Sequence, residues 1–388
     1  MTPVAPADLA LYVHWPYCAR ICPYCDFNVA RARGREAEAA MLGQAIIEDL
    51  RRQAAQLGPR RLVSIFFGGG TPSLMTPAQV AGVVDAALAL FTPAEDLEIT
   101  LEANPTDVEA ARFEDLAAAG VNRLSLGLQA LDDMALKFLG RNHTAEEGAR
   151  AAATAAGIFR RVSIDLIYAR PGQVARAWAA ELSLALQLGS EHVSPYQLTL
   201  EPGTPFARAV ARGRFAPADP ELAATLFETT AEVLEAAGFE AYEISNHAHG
   251  ESARARHNLA IWRGAEYLGV GPGAHGRLRL EGTLTATRAA MKAGDYLQRI
   301  ALGDCGLDLL EPLSEREAAE ERLLVGLRLA EGVSLDALAP VGLSADSPVL
   351  TGLVEAGLLR LTRGRLAATP AGRLVLDPVL GELLIGPP

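Results

Sequence analysis

The sequence predicts an α/β protein: a partial (β/α)6 barrel followed by a C-terminal winged-helix-like α+β domain. Three observations predict it. Apolar runs of strand length alternate with helix-length stretches rich in Ala, Leu and Glu over the first two thirds of the chain. Polar residues recur where each run ends. The C-terminal part reads instead as helix, helix and apolar hairpin. Strand–helix repeats favour a parallel sheet with right-handed crossovers. Six such units close part of a barrel or form an open doubly wound sheet. The polar strand ends favour the barrel, whose C-terminal strand ends gather around one mouth.

The apolar runs are Leu11–His14, Leu62–Phe67, Leu97–Leu101, Arg123–Leu128, Val162–Ile167 and His192–Leu198. The intervening helices start at capping boxes beginning with Thr76, Thr106 and Thr144, each with Gln or Glu three residues on. Pro77 suits a first helical turn. Gly120 and Gly157 stand where helix C-caps are expected. Residues 1–201 are assigned to the barrel, and 202–308 to an extension and connecting region. The latter holds Pro- and Gly-rich turns, a helix over Pro220–Ala237 and several histidines. Residues 309–388 form the C-terminal domain. It contains a helix Ser314–Leu329, a helix around Ser347–Ala356 ended by Gly357, and a hairpin turning at Thr362-Arg363-Gly364. In DNA-binding winged helices the wing is basic; here Glu is frequent.

The 388 residues carry a formal net charge of −12, which argues against a general nucleic-acid binder. Lys137 and Lys292 are the lysines; the other basic side chains are arginine. Half of the residues are hydrophobic, enough for a sizeable core. No signal pattern opens the sequence, and no uncharged apolar run of about 18 residues occurs. A cytoplasmic protein without a membrane span is expected; peripheral membrane contact stays open.

Cys18, Cys22 and Cys25 are spaced Cys-x3-Cys-x2-Cys, and no fourth cysteine follows. Three thiolates hold three corners of a cubic four-iron cluster and leave one iron open to a chelating ligand. Two alternatives compete. One is structural zinc with His14 as fourth ligand; the other is a redox Cys-x2-Cys pair. Cys305 is isolated and reads as a small buried hydrophobe. Gly68-Gly69-Gly70-Thr71-Pro72 follows the second strand, where glycines let backbone groups approach a ligand. Glu102, Gln129, Arg141 and Asp165 make a polar ring at strand ends. Singly, each also reads as a cap, a turn closure or a solvated side chain.

The pattern Cys-x3-Cys-x-Tyr-Cys, with Tyr24 before Cys25, resembles the cluster motif of the radical SAM enzymes. The resemblance implies a 4Fe–4S cluster on Cys18, Cys22 and Cys25 whose open iron binds S-adenosylmethionine (SAM). Further motifs occur in order: Tyr12 to Cys18, Gly68 to Pro72, Gly127-Leu128-Gln129, Asp165 to Tyr168, Tyr196 to Pro202, and Gly271 to Gly276. Together they resemble the oxygen-independent coproporphyrinogen III oxidase group over most of the chain. Carried over, Tyr12, Gly69, Gly70, Thr71, Glu102, Gln129, Arg141 and Asp165 are implied SAM contacts. Arg suits a carboxylate bidentately, and acidic groups suit ribose hydroxyls.

That group has two branches. Its oxidases resemble Cys-x3-Cys-x2-Cys-x-Cys and carry a longer N-terminal arm. Here Phe27 holds the fourth cysteine's place, and 17 residues precede Cys18. Both features resemble the haem-chaperone branch. The implied function is to bind haem and pass it to haem-requiring respiratory proteins; cluster assembly promotes dimerisation or contact with the recipient. His257-Asn258-Leu259-Ala260-Ile261-Trp262 resembles that branch's His-Asn-x-x-Tyr-Trp motif, with Ile261 replacing tyrosine. His257 is the first candidate for a haem ligand, and Trp262 for stacking on the porphyrin. The structural alternative is a satisfied histidine and a core tryptophan. His247, His249 and His275 are further candidates. Ala169-Arg170 stands where the group shows Gly-Leu, which directs Arg170 toward a propionate or toward solvent. The rival functions are oxidative decarboxylation of coproporphyrinogen III and a zinc-binding interaction module.

Overall fold

The computed structural model describes residues 6–385. Six strands form its parallel core: β1 (Ala7–Trp15), β2 (Arg60–Gly69), β3 (Thr92–Ala103), β4 (Arg123–Gln129), β5 (Arg161–Tyr168) and β6 (His192–Gln197). They pair in the order of the sequence. A doubly wound sheet reverses its order at a switch point. Unbroken sequential order keeps the crossover helices on one face, as barrel winding requires. Those helices include α1 (Glu36–Ala54), α2 (Pro77–Leu90), α3 (Phe113–Ala118), α4 (Ala145–Ile158), α5 (Ala175–Leu186) and α6 (Pro220–Ala236).

Strand periodicity divides the side chains. Ile65, Phe67, Ile99, Leu101, Leu124, Leu126, Ile164, Leu166 and Val193 are buried in the main hydrophobic core. Their alternating neighbours Phe66, Thr100, Glu102, Arg123, Ser125, Ser163, Asp165, His192 and Ser194 line an interior cavity. The inner face is therefore mostly polar along the strands' whole length, not only at their ends.

The sheet continues beyond the six units. After the short helix α7 (Arg256–Trp262), strand β7 (Glu266–Val270) pairs parallel with β1. Antiparallel strands β8 (His275–Leu280), β9 (Thr283–Ala289) and β10 (Leu307–Pro312) follow. The expected helix of the connecting region is present as α6, whereas its part from Glu266 on, expected as turns, is largely sheet. The missed signal is Glu281-Gly282, whose φ angles of 50° and 87° make the two-residue turn joining β8 to β9. At the opposite edge, His247–Ala248 pairs with β6 and with Glu240–Ala241.

Thr76, Thr144 and Ser314 form full capping boxes. Thr106 forms half of one. Its hydroxyl accepts from the Glu109 amide, but the Glu109 carboxylate turns inward to Ser73 and to the Asn104 amide at 2.9 Å. The resulting helix lasts one turn, Asp107–Ala110. Gly157 is no cap either; α4 runs through it to Ile158.

The C-terminal part has its own core, including Leu323, Leu327, Val333, Leu338, Leu350, Leu353, Leu359 and Leu366. Helices Glu315–Gly326 and Pro348–Glu355 pack with a small sheet ordered Val333–Ser334, Arg365–Ala368, Leu359–Thr362. The hairpin turns at Arg363-Gly364, both with positive φ. Arg328–Glu243 at 3.0 Å and Arg263–Glu331 at 2.8 Å tie this part to the barrel. Among the described residues, no helix is long and apolar enough to cross a membrane.

Candidate functional site

The C-terminal ends of the barrel strands open on a cavity of about 570 Å³, with Cys18, Cys22 and Cys25 among its lining residues. The cysteine loop leaves β1 and is pinned where it closes. Ala30 N–H donates to Pro16 O at 2.7 Å and Ala32 N–H to Cys18 O at 2.9 Å. All three thiols are free, Cys18 buried and the others half-buried. Arg141 Nη1 donates to Cys22 Sγ at 3.5 Å, and the Thr71 hydroxyl and Phe27 amide lie near Cys18 and Cys25 and favour their thiolates. Burial pushes the Cys18 thiol up to about 11 against the Thr71 hydrogen bond, and Cys25 and Cys22 add to the rise. A bound cationic centre would relieve that crowding of thiolates.

The zinc alternative loses its fourth ligand. His14 Nε2 donates to Asn28 O at 2.9 Å, which makes Nδ1 the acceptor for Tyr12 OH at 3.0 Å. Both ring nitrogens are engaged. Among the described residues, no three His, Cys, Asp or Glu side chains converge on a single metal ion.

Arg141 lines the cavity with its Nε unpartnered among the described residues, while its two Nη groups brace the cysteine loop and its neighbours. Its Nη2 donates to Asn104 Oδ1 at 2.5 Å and to Gly127 O at 2.9 Å. Asn104 in turn donates to Thr71 Oγ1 at 3.2 Å and Glu109 Oε1 at 3.3 Å. A continuous hydrogen-bonded chain thus runs Thr71, Asn104, Arg141, Cys22. Asn104 and Glu109 were not among the expected site residues; the one signal was a buried acid inside an incomplete capping box.

The glycine turn also differs in detail. The Gly70 and Thr71 amides donate to Trp15 O at 2.7 Å and Tyr17 O at 2.9 Å, and the Gly69 amide to Glu102 Oε2 at 3.2 Å. A Cβ on Gly70 would sit 2.8 Å from Trp15 O and Tyr17 O, so glycine is needed for this close approach. With its amides engaged, the turn suits an ammonium, which needs acceptors, better than a carboxylate. Glu102 and Asp165 lie in the same cavity and have no ion-pair partner among the described residues. Burial pushes Glu102 up to about 8, and the Asp165 charge adds to it. Burial also raises Asp165 despite hydrogen bonds from Ser125 at 2.8 Å and Ser163 at 3.3 Å. Gln129 lines the cavity with φ 65°, a conformation costly for a residue with a Cβ. Tyr12 is not a lining residue; it stands behind the wall, stacked on Phe66 with centroids 6.3 Å apart.

His257 sits at the opposite end of the barrel. On α7, its Nδ1 is 2.9 Å from Ser64 Oγ, its amide donates to Glu98 Oε1 at 3.0 Å, and its ring stacks on Phe66 at 4.9 Å. Burial lowers its pKa to about 4, so the ring is neutral. From Ser64 to Gly69, β2 spans roughly 17 Å between this floor and the cysteine mouth. Arg328 covers the Trp262 ring at 5.7 Å, where porphyrin stacking was expected. His249 and His275 are exposed, and His247 is buried. Arg170 reaches neither a ligand nor solvent: it is buried and pairs bidentately with Glu181, one contact at 3.1 Å. Arg170→Met is therefore expected to cost ~3 kcal/mol by stranding Glu181, measured by urea denaturation.

The sequence pattern of the Radical SAM superfamily matches residues 12–184, and that of the HemN C-terminal domain residues 313–375. The chain is 42% identical over 388 residues to Radical S-adenosyl methionine domain-containing protein 1, mitochondrial, of Bos taurus, covering 97% of this chain and 87% of that one. It is 34% identical over 379 residues to Heme chaperone HemW of Bacillus subtilis (strain 168), covering 96% and 98%. With Heme chaperone HemW of Escherichia coli (strain K12) it shares 35% over 380 residues, covering 96% and 97%. The chain belongs to the HemW family. The chain also superposes on coproporphyrinogen III oxidase (HemN) from Escherichia coli with a TM-score of 0.80, at 21% identity, over 97% of this chain and 90% of that one. The shared architecture is the radical SAM fold with an added C-terminal domain.

Membership of the radical SAM superfamily implies a 4Fe–4S cluster and SAM, and the residues present fit both. Three thiols and two carboxyls without cation partners face the same cavity. Ammonium and sulfonium groups favour ionised Glu102. Should such a group seat against Glu102, its binding below about pH 8 would release the carboxyl's proton. SAM affinity of the cluster-loaded protein is therefore expected to fall by up to about tenfold per pH unit below that value. Glu102→Gln should weaken binding and flatten the profile, as read by calorimetry at several pH values.

Proposed function

We propose that this chain is a haem chaperone that binds haem and transfers it to haem-requiring respiratory proteins in the cytoplasm. The observation that carries the reading is full-length likeness to proteins named Heme chaperone HemW. Phe27, 60% exposed beside the cysteines, is consistent with it, since the oxidases resemble a fourth cysteine there.

In this reading Cys18, Cys22 and Cys25 hold the cluster, and Arg141, Asn104 and Thr71 fix the loop that presents them. Glu102, Asp165, Gln129 and the Gly69-Gly70-Thr71 turn receive SAM, while Tyr12 orients His14 behind them. When bound, cluster and SAM supply one-electron reductive chemistry. The chain's own part is to orient SAM's charged groups, shield them from water and set the protonation of Glu102. Cluster loading is proposed to favour dimerisation or docking to the haem acceptor.

Haem ligation by His257 Nε2 would require α7 to leave the floor and give up its bonds to Glu98. Haem titration of His257→Ala decides its role. A lost or shifted Soret band assigns ligation; an unchanged one leaves the ring as a brace. Anaerobic incubation with coproporphyrinogen III, SAM and a reductant is expected to give no protoporphyrinogen above background. Catalytic formation would replace the chaperone reading with the oxidase.

A further inference from the structure

A second cavity, of about 360 Å³, lies between α6, the strand pairing at His247 and the C-terminal helix Pro370–Leu374. Its walls are largely apolar: Tyr168, Phe227, Ala231, Phe239, Ile244 and Pro370. The nitrogen-bearing side chains His247 and Arg373 stand in that lining, beside the hydroxyls of Tyr168 and Thr230. His247 is 5% exposed, and its Nδ1 is buried with no hydrogen-bond partner among the described residues. No acid is within ion-pair distance of Arg373 among the described residues, and its Nε is likewise buried and unpartnered. Glu235 and Glu240 also line the cavity, both exposed, and Glu240 pairs with Arg254 at 2.9 Å. Glu243 pairs with Arg328 at 3.0 Å and accepts from Asn246 and Ser245 at 2.6 Å.

Buried polar atoms without partners are costly, and a guanidinium without an ion-pair acid beside a buried imidazole asks for an acceptor that the chain does not supply. A guanidinium presents parallel N–H groups suited to a carboxylate, and a neutral imidazole adds one N–H. Apolar walls around a few convergent polar groups are the usual make-up of a small-molecule site. We propose that this cavity binds an amphipathic monocarboxylate, with its carboxylate between Arg373 and His247 and its apolar body along Phe227, Phe239 and Ile244. Phe239 belongs to the barrel core and Ile244 packs on the C-terminal core, so the ligand touches both. The inference is independent of the haem reading.

Calorimetric titration of the full chain with sodium octanoate tests it, with n-octanol and n-octylamine as controls of equal length. A single saturable octanoate site is expected, and neither control should bind comparably. Arg373→Gln and His247→Leu should each weaken octanoate by about tenfold or more, the loss of one charge-assisted or buried contact. Ala231→Phe fills the cavity while keeping the polar pair, and should abolish binding. Thermal melts without ligand identify any variant that fails to fold, and the remaining variants then carry the test. Absence of saturable octanoate binding, equal binding of octanol, or binding indifferent to Arg373→Gln and Ala231→Phe in folded protein would overturn the proposal.

Discussion

Cys22→Ser is expected to leave the anaerobically reconstituted chain with almost no bound iron, against about four iron and four sulfide per wild-type chain. The thiol set has no reserve. Cys305 packs at the edge of the main core and is not among the residues lining the cluster cavity. Nor does a fourth cysteine follow Cys25. The loss should not unfold the protein. Cys22 is half-buried, and the loop is held by backbone bonds at Ala30, Ala32, Gly70 and Thr71, none of which involves its sulfur. Thermal melts of the cluster-free proteins should therefore agree closely. Retention of the full iron and sulfide content by the variant would show that Cys22 is not a ligand. Stoichiometric zinc without sulfide in wild type would remove the cluster altogether.

Glu98→Gln has the largest expected effect on stability, a loss of roughly 3–5 kcal/mol, because it strands buried charge. Glu98 is fully buried and pairs with Arg123 at 3.3 Å and Arg161 at 2.7 Å, whose side chains are 3% and 15% exposed. It also accepts the Arg256 and His257 amides, which fastens α7 across the barrel floor. Burial alone would raise its pKa, but the two guanidiniums and the two amides outweigh it and hold the carboxyl below its usual range. A depressed carboxyl stabilises fully above its unfolded pKa, near 4.3 for Glu, and loses that contribution as pH falls through the folded value. Wild type should thus lose stability in acid below about pH 4, where the difference from Glu98→Gln narrows. Urea denaturation at pH 7 and in acid reads both effects. Hydrogen exchange should locate the change at the Arg256 and His257 amides. A variant as stable as wild type at pH 7 would contradict the floor assignment.

Periodicity made the barrel visible, since each strand alternates residues for the helices with residues for the interior. The cysteine spacing and the caps at Thr76, Thr144 and Ser314 were equally local. β7 to β10 were not, because three of them are antiparallel strands, exposed in part and rich in polar residues, whose strand identity depends on pairing. Site residues divide the same way. Glu102 and Asp165 could be placed by their position on strands. The fate of Arg141, turned to the cysteine loop by Asn104 and Gly127, depends on elements distant in sequence. The amides of the glycine turn were similarly taken by Trp15, Tyr17 and Glu102 once the loops met. His257 lies in a motif that names a residue type but not its end of the barrel; only packing against Ser64 and Phe66 puts it on the floor.

Haem transfer is the most direct measurement. Anaerobically prepared, cluster-loaded protein is titrated with haem, separated from free ligand and mixed with an apo haem protein of the respiratory class. Saturable binding with a Soret band is expected, followed by transfer to the acceptor faster than from free haem. Absence of saturable binding, or bound haem that never leaves for any acceptor, would contradict the chaperone function.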